Sequence, residues 1–420
     1  MPQIGKFSSN KLVIPPKRPI LRNVQTNRLV STNYTGTESR QGYSVAISSN
    51  GDVLLSMSRF TDNNKGAVWL YIRSGADTWI EKEKYVPGGG SSNSGFFDLD
   101  ISADASVWAV GDISHPDNTG AGTVYVYTKI GDTYTYSSQQ LTFTGNVGNV
   151  FFGYALKLSD NGNRLIISGI NDNSSKGAIW TFNRSNGIWS QSGSKLVASD
   201  SDSTGQWGSA FSLSGDGNTL IVNGSQNGTT RKDWLYYWDG SQWNLQAGTP
   251  FTYSGVIGNI SALSRFSSIS SSGKVVAISV PSEDSGIGAI YIFNSSGNTW
   301  TQTARIQPTD WNYSYGFPIT YRAAFSTRSQ QRVLNDTGNI IVFAGSDAPS
   351  NNAARSSAYT SIWTWNNYSG TWLQQSKTTI TLGNIGPAQS ASWSVSSDGS
   401  TLAIGTPGDT PLIGATYIVR

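Results

Sequence analysis

The chain has 420 residues, of which 37% are hydrophobic, 12% aromatic and only 13% charged. Its 29 Lys and Arg residues nearly balance 26 Asp and Glu residues, and a net charge of +3 is too small to indicate a nucleic-acid-binding protein. The absence of cysteine excludes disulfides and thiolate chemistry, and the single histidine, His115, leaves no basis for a histidine-rich metal site. We therefore predict no metal and no cofactor.

The first 24 residues differ in composition from the rest. The segment 11–22 has three Pro and four Lys or Arg residues and no apolar periodicity, which is typical of an extended arm. One alternative is a flexible tail, and the other is an arm that docks into a protein partner through the residues Lys11, Lys17, Arg18, Ile20 and Leu21. The segment lacks an apolar stretch of the kind found in secretory signals, and no run in the chain reaches the ~18–20 apolar residues of a membrane span.

Residues 25–420 contain a repeat. A short turn recurs seven times, four times in the form Ser-x-Asp/Asn-Gly and three times as the variants SADA, SSSG and NDTG, with its fourth residue at Gly51, Ala105, Gly162, Gly217, Gly273, Gly338 and Gly399. A second element such as GAVWLYI (66–72) or GAIYIFN (288–294) follows each turn, and an aromatic residue follows that. The copies begin near residues 42, 95, 152, 207, 265, 321 and 390. Seven copies with a period of roughly 55–65 residues predict a repeat architecture.

Each copy reads as four β-strands. In the first copy, alternating segments flank the Asn50-Gly51 turn, and the segments 66–73 and 79–86 supply the third and fourth strands. No segment shows helical periodicity, and the Gly that opens the third strand predicts either close backbone approach or a bulge. Seven four-stranded units predict an all-β, seven-bladed β-propeller over 25–420. The last copy ends at its third strand, so we expect residues 25–32 to complete the final blade.

The pattern aromatic-Gly, Ser-x-Asp/Asn-Gly, then G-A-[VI]-[WY]-x-F, resembles the FG-GAP repeat found in the propeller of integrin α-subunits. The copy at 152–196 carries it best and contains the only literal Phe-Gly pair, Phe152-Gly153. The resemblance implies binding or adhesion rather than catalysis. No copy has the Asp-rich calcium loop of several integrin repeats, so calcium is not expected here.

The loops between strands 2 and 3, and the links between blades, vary most in length and should share one face of the ring, the usual layout for recognition. Aromatic residues alternate in the link 308–320, where they either cap the core or form a ligand patch. The candidate binding residues are Trp311, Tyr313, Tyr315, Phe317 and Arg355. By contrast, the recurring tryptophans at the start of strand 4 predict packing between blades.

The leading prediction is a non-enzymatic structural or attachment module that contacts protein partners through residues 1–24 and the variable-loop face. We expect it in a virion, as a capsid- or tail-associated component, or at an extracellular surface. The alternative is a glycan-binding lectin or adhesin that uses the same face. A propeller glycoside hydrolase is the third possibility, although no sialidase-type motif and no carboxylate pair can be located from spacing.

Overall fold

The computed structural model describes residues 25–36, 38–89, 95–115, 120–200, 205–225, 231–246, 251–257, 266–280, 283, 288–309, 334–346, 359–381, 392–409 and 413–420. Within them lie seven antiparallel sheets, six of four strands and one of three. The helices with bounds in these ranges are single turns: two α-helical ones, Thr61–Asn64 (α1) and Asp172–Ser175 (α2), and the 3₁₀ turn Pro87–Gly89. The seven-bladed β-propeller predicted from the repeats is confirmed.

The blades follow one another along the chain. Blade 1 contains β2 (Ser44–Ile47), β3 (Val53–Ser58), β4 (Ala67–Arg73) and β5 (Trp79–Tyr85). Blade 2 contains β6 (Phe96–Ile101), β7 (Val107–Asp112), β8 (Thr123–Lys129) and β9 (Tyr136–Gln140). Blade 3 contains β10 (Phe152–Leu158), β11 (Arg164–Gly169), β12 (Ala178–Ser185) and β13 (Ile188–Gln191). Blade 4 contains β14 (Ala210–Leu213), β15 (Thr219–Ser225), β16 (Arg231–Trp238) and β17 (Trp243–Leu245).

The remaining three blades complete the ring. Blade 5 contains β18 (Phe266–Ile269), β19 (Val275–Val280), β20 (Ala289–Ser296) and β21 (Thr299–Ile306). Blade 6 contains β22 (Ile340–Ser346), β23 (Tyr359–Tyr368) and β24 (Thr371–Thr381), and a bridge between Leu334 and Ile341 marks the position of its first strand. Blade 7 contains β25 (Ser392–Val395), β26 (Leu402–Thr406) and β27 (Ala415–Val419), with β1 (Gln25–Leu29) as its outer strand.

Closure of the ring depends on β1. It pairs antiparallel with β27, and Arg28 lies opposite Tyr417. The Arg28 guanidinium also donates to Asp409 at 2.8 Å, and the buried Asp409 carboxylate accepts a second bond from the Tyr417 hydroxyl at 2.6 Å. The prediction that residues near 25–32 complete the final blade is confirmed, since the chain's two ends share one sheet.

Apolar side chains between the blades form the core. The largest fully buried ones include Trp69, Trp108, Trp180 and Trp234. The strand 4 tryptophans reach the preceding blade: Trp243 donates to the Thr181 hydroxyl at 2.8 Å, and Trp300 donates to the Tyr237 hydroxyl at 3.0 Å. The prediction that these tryptophans pack between blades is therefore confirmed.

The seven turns between strands 1 and 2 form a closed circle of backbone hydrogen bonds. In each bond one turn donates an N–H to a carbonyl of the next, and the last turn donates back to the first. The seven bonds run from Ser49 to Ala103, Ala103 to Asp160, Asp160 to Gly215, Asp216 to Ser271, Ser271 to Asp336, Asp336 to Ser397 and Ser397 to Ser49, at 2.8–3.3 Å. The strand 1 edges therefore surround a central axis, and we call this end of the ring the turn face.

The repeated turn sequence has a hydrogen-bonding cause. The first residue of each turn accepts, through its side chain, the N–H of the residue five positions later, as Ser48 does from Val53 at 3.0 Å and Ser396 from Thr401 at 3.0 Å. The same side chain also forms a hydrogen bond with the side chain of the third residue, as the Ser102 hydroxyl does when it donates to Asp104 at 2.8 Å. Ser, then Asp or Asn, recurs because each turn uses both side chains to hold its own backbone.

The opposite end of the ring, the loop face, is fixed by anchor pairs. In each pair a carboxylate in the loop between strands 2 and 3 binds a basic side chain from the outer strand or just beyond it: Asp62 with Lys84 at 2.5 Å, Asp172 with Lys195 at 2.5 Å, Glu283 with Arg305 at 2.8 Å and Asp409 with Arg28 at 2.8 Å. Asp62 and Asp172 also accept N–H bonds from Thr35 and Val147 in the preceding inter-blade links. Loops and links therefore share this face.

Glycine opens the third strand where two blades approach most closely. A Cβ on Gly122 would lie 2.3 Å from the carbonyl oxygen of Phe152, and a Cβ on Gly414 would lie 2.2 Å from that of Gln41. Parallel bridges join the same residues across the blade boundary. The close approach predicted from the sequence is confirmed, since no side chain fits between these backbones.

We predict that Gly122→Ala lowers the free energy of unfolding by roughly 2–4 kcal/mol, from strain at positive φ together with overlap at the blade boundary. Gly187→Ala is the matched control because Gly187 has φ +81°, against +80° for Gly122, but its Cβ would meet nothing within 4 Å. That control should lose only about 1 kcal/mol. Urea denaturation of both variants measures the difference, and equal losses would contradict the close-approach argument.

Candidate binding site

The binding residues predicted from the sequence cannot be placed. Trp311, Tyr313, Tyr315, Phe317 and Arg355 all lie outside the residues that the structure describes. The arm residues Lys11, Lys17, Arg18, Ile20 and Leu21 lie outside them as well. These assignments stay predictions, and the site below is built from other side chains.

Three aromatic rings from consecutive blades meet at the loop-face end of the inner strands. Tyr43, Phe97 and Tyr154 each stand at or near the start of strand 1 in blades 1, 2 and 3. The rings of Phe97 and Tyr154 stack with centroids 4.3 Å apart and planes 26° apart, and Tyr43 meets Phe97 edge-on at 6.2 Å. Phe97 and Tyr154 are partly exposed, whereas Tyr43 is buried. Because strand 1 is the innermost strand, this stack lies beside the central axis.

Irregular strand pairing near the starts of β6 and β10 sets the direction of the Phe97 and Tyr154 side chains. The pairing of β6 with β7 shifts register between Phe96 and Leu99, and the pairing of β10 with β11 shifts between Phe152 and Leu156. Phe97 and Tyr154 lie within these irregular stretches. Such interruptions bend a strand locally and redirect its side chains. They explain how residues from two separate sheets come face to face.

Arg59 completes the group, which we call the rim cluster (Tyr43, Arg59, Phe97 and Tyr154). Arg59 directly follows β3, and its Nη1 donates to the Tyr43 hydroxyl at 2.9 Å. Its guanidinium lies 5.2 Å from the centroid of Tyr43 and 5.9 Å from that of Phe97. Its Nε is buried and has no hydrogen-bond partner. The rim cluster thus combines an aromatic surface with an incompletely bonded cation.

Two carboxylates and a lysine lie on the same inner strands. Asp98 accepts the Leu156 N–H at 3.1 Å and the Ser44 hydroxyl at 3.3 Å, so it joins blades 1, 2 and 3. Asp100 accepts the Leu158 N–H at 2.9 Å and pairs with Lys157 at 3.2 Å. These carboxylates accept hydrogen bonds from backbone N–H groups on the unpaired edge of β10. Without the carboxylates those N–H groups would lack partners.

The environment of Asp98 changes its acidity. Burial, with the Asp98 side chain almost wholly removed from solvent, raises its pKa to about 7, although Lys157 and the Leu156 N–H act in the opposite direction. Asp98 therefore links the inner strands. Its carboxyl group is protonated, and so neutral, in mildly acidic solution.

Sequence reasoning missed the rim cluster although its three aromatic residues occupy one position of the repeat, five residues before the first residue of the turn, in copies 1, 2 and 3. A second signal lies in the first strand of blade 2, where FFDLDI (96–101) places two aspartates at positions that most other copies fill with Ser or Ala. Both features distinguish these copies from the rest of the repeat and could have identified the site. Within the described residues no group of three or more metal-binding side chains occurs. No helix there is long and apolar enough to cross a membrane.

Comparison with known proteins gives similar folds at low identity. No protein-family model and no curated protein matches the chain. A candidate 6-phosphogluconolactonase from Bacteroides uniformis is 13% identical, with TM-score 0.48, over 82% of this chain and 86% of that one. A periplasmic gluconolactonase from Pseudomonas aeruginosa is 10% identical, with TM-score 0.46, over 83% and 87%. A candidate TolB from Agrobacterium tumefaciens is 16% identical, with TM-score 0.37, over 64% and 83%.

These comparisons overturn the leading functional prediction. The three similar structures are two lactonases and a TolB protein, and none of them is described as a capsid- or tail-associated component. The prediction of a structural or attachment module in a virion is therefore wrong. It rested on the polar, β-rich composition of the sequence and on the basic arm rather than on a motif. The FG-GAP resemblance and the absence of enzymatic activity stay predictions.

We predict that Asp98 makes the protein less stable as pH rises. Its pKa is about 7 in the folded state and near 3.8 in the unfolded chain, so the folded state binds more protons between these values. Stability should fall across that window and level off above pH 7. Asp98→Asn should reduce the change in the free energy of unfolding between pH 5 and pH 8 by roughly 1–3 kcal/mol.

Urea denaturation at pH 5 and pH 8 measures the effect. The exposed Asp132→Asn is the control and should leave the pH dependence as in the wild type. An Asp98→Asn variant with the wild-type pH dependence would show that Asp98 is not the group responsible.

Proposed function

We propose that the protein binds carbohydrate at the loop-face end of its central axis, through the rim cluster. The observation that carries the proposal is the stacked pair Phe97 and Tyr154, partly exposed, with Arg59 beside it. This is a glycan-binding function on the variable-loop face, at residues other than those predicted from the sequence.

The chemistry of a sugar fits the rim cluster. One face of a pyranose ring presents C–H groups, which pack well on an aromatic surface, while its hydroxyl groups need hydrogen-bond partners at the edges. Ligand sites commonly combine such apolar surface with a few fixed polar groups. Here the fixed polar group is Arg59, which donates to the Tyr43 hydroxyl at 2.9 Å.

The scaffold favours a preformed site. The aromatic residues come from the inner strands of three blades, and those strands are held by the circle of turns and by Asp98. Side chains on rigid strands lose little freedom when a ligand binds, so more of the contact energy remains as affinity. A site of this kind suits a ligand without a large apolar surface.

We predict that Phe97→Leu weakens glycan binding about two- to tenfold while leaving the fold intact. Leucine fills much of the volume of phenylalanine but lacks the aromatic face that stacks, and an aromatic contact of this kind contributes about 0.5–1.5 kcal/mol. A glycan array identifies the ligand, and isothermal titration calorimetry on the best hit measures the change.

Tyr368→Leu is the control because Tyr368 is an exposed aromatic residue at the end of β23, 46% accessible and outside the rim cluster. It should bind as the wild type does. Trp311→Ala tests the site predicted from the sequence. Loss of binding in Trp311→Ala with full binding in Phe97→Leu would place the glycan site elsewhere and contradict the proposal.

A further inference from the structure

We infer that the preferred ligand is an acidic sugar whose carboxylate is held by Arg59. This inference rests on the proposed carbohydrate-binding function and adds the chemical class of the sugar. It starts from the hydrogen bonds that Arg59 makes and those that it leaves unmade.

Arg59 differs from the cations of the anchor pairs. In the four anchor pairs every basic side chain lies within 2.8 Å of a carboxylate oxygen. Within the residues that the structure describes, no carboxylate oxygen lies within 4 Å of Arg59. A partly buried charge without a counterion is costly unless something else supplies one. Arg59 is therefore a partly buried cation without a carboxylate partner in the described part of the chain.

The free edge of the guanidinium has the geometry of a carboxylate site. Nη1 is occupied by the Tyr43 hydroxyl, and the buried Nε has no partner. A small shift of the side chain that uncovers Nε brings Nε and Nη2 to a ligand as two parallel N–H groups, which match the two oxygens of a carboxylate. Since Arg59 also lies 5.9 Å from the centroid of Phe97, one ligand can stack on the ring and reach this edge.

The local charge favours a carboxylate over a phosphate or sulfate ester. Arg40, the neighbouring cation, pairs with Glu38 at 3.0 Å, and among the described residues Arg59 is the one cation over the rings of Tyr43 and Phe97. One positive charge at the rim cluster balances a single negative charge, and a dianionic phosphate would need a second. The ligand class that fits is a sugar with one carboxylate, such as a uronic acid.

The test compares matched acidic and neutral sugars. Calorimetry with an oligosaccharide containing glucuronic acid, its methyl ester and the corresponding glucose oligosaccharide should show about tenfold tighter binding of the free acid. Arg59→Gln should bind the acidic sugar only as well as the neutral one, and Arg59→Lys should keep part of the preference. Arg73→Gln, an arginine that pairs with Asp52 towards the turn face of the same blade, should behave as the wild type.

The outcomes separate this inference from the proposed function. Equal binding of all three sugars by the wild-type protein, with no change in Arg59→Gln, overturns the inference and leaves carbohydrate binding in place. No binding of any glycan overturns the proposed function itself. Because the methyl ester removes the charge from the ligand, its comparison with the free acid decides the question even if Arg59→Gln fails to fold.

Discussion

The structure depends on a closed circle of seven hydrogen bonds between the turns of successive blades. Each turn donates one backbone N–H to the next, and the bond from Ser397 to Ser49 joins the last blade to the first. A sheet edge lined with unpaired N–H and C=O groups is otherwise open to association with other chains. In this ring the inner edges face each other around the axis, and polar side chains such as Asp98, Ser212 and Ser394 occupy some of their donors.

The same constraint positions the rim cluster. Because the circle holds all the inner strands at the turn face, the starts of strand 1 in blades 1, 2 and 3 converge at the opposite end. Most of the ring follows the repeat, and the site arises where three copies depart from it: two aspartates in β6, irregular pairing in β6 and β10, and an unpaired arginine after β3. The regular blades make the ring rigid, and the local departures from the repeat provide the side chains of the site.

The fold could be predicted from the sequence because its determinants repeat. The turn needs Ser at its first position and Asp or Asn at its third, the blade boundary needs Gly at positions such as 122 and 414, and strand 4 needs its tryptophan. Each requirement recurs in several of the copies, so a single sequence already shows the pattern. The missing fourth strand of the last copy likewise predicted the pairing of β1 with β27.

The site could not be predicted in the same way. The contacts of the rim cluster join residues 43, 59, 97 and 154 from three different blades, and the position of Arg59 beside the rings depends on side-chain directions that no spacing reveals. The aromatic link at 308–320 drew attention because it is locally dense in rings. The aromatic residues at one repeat position in three consecutive copies carried the information instead.

A crystal structure of the full chain with a glucuronic-acid-containing oligosaccharide tests the account most directly. The account predicts a sugar ring packed on Phe97 and Tyr154, with its carboxylate on the Nε and Nη2 edge of Arg59. Sugar density at another place, such as the outer-strand tryptophans or the turn face, with an empty rim cluster, would contradict it.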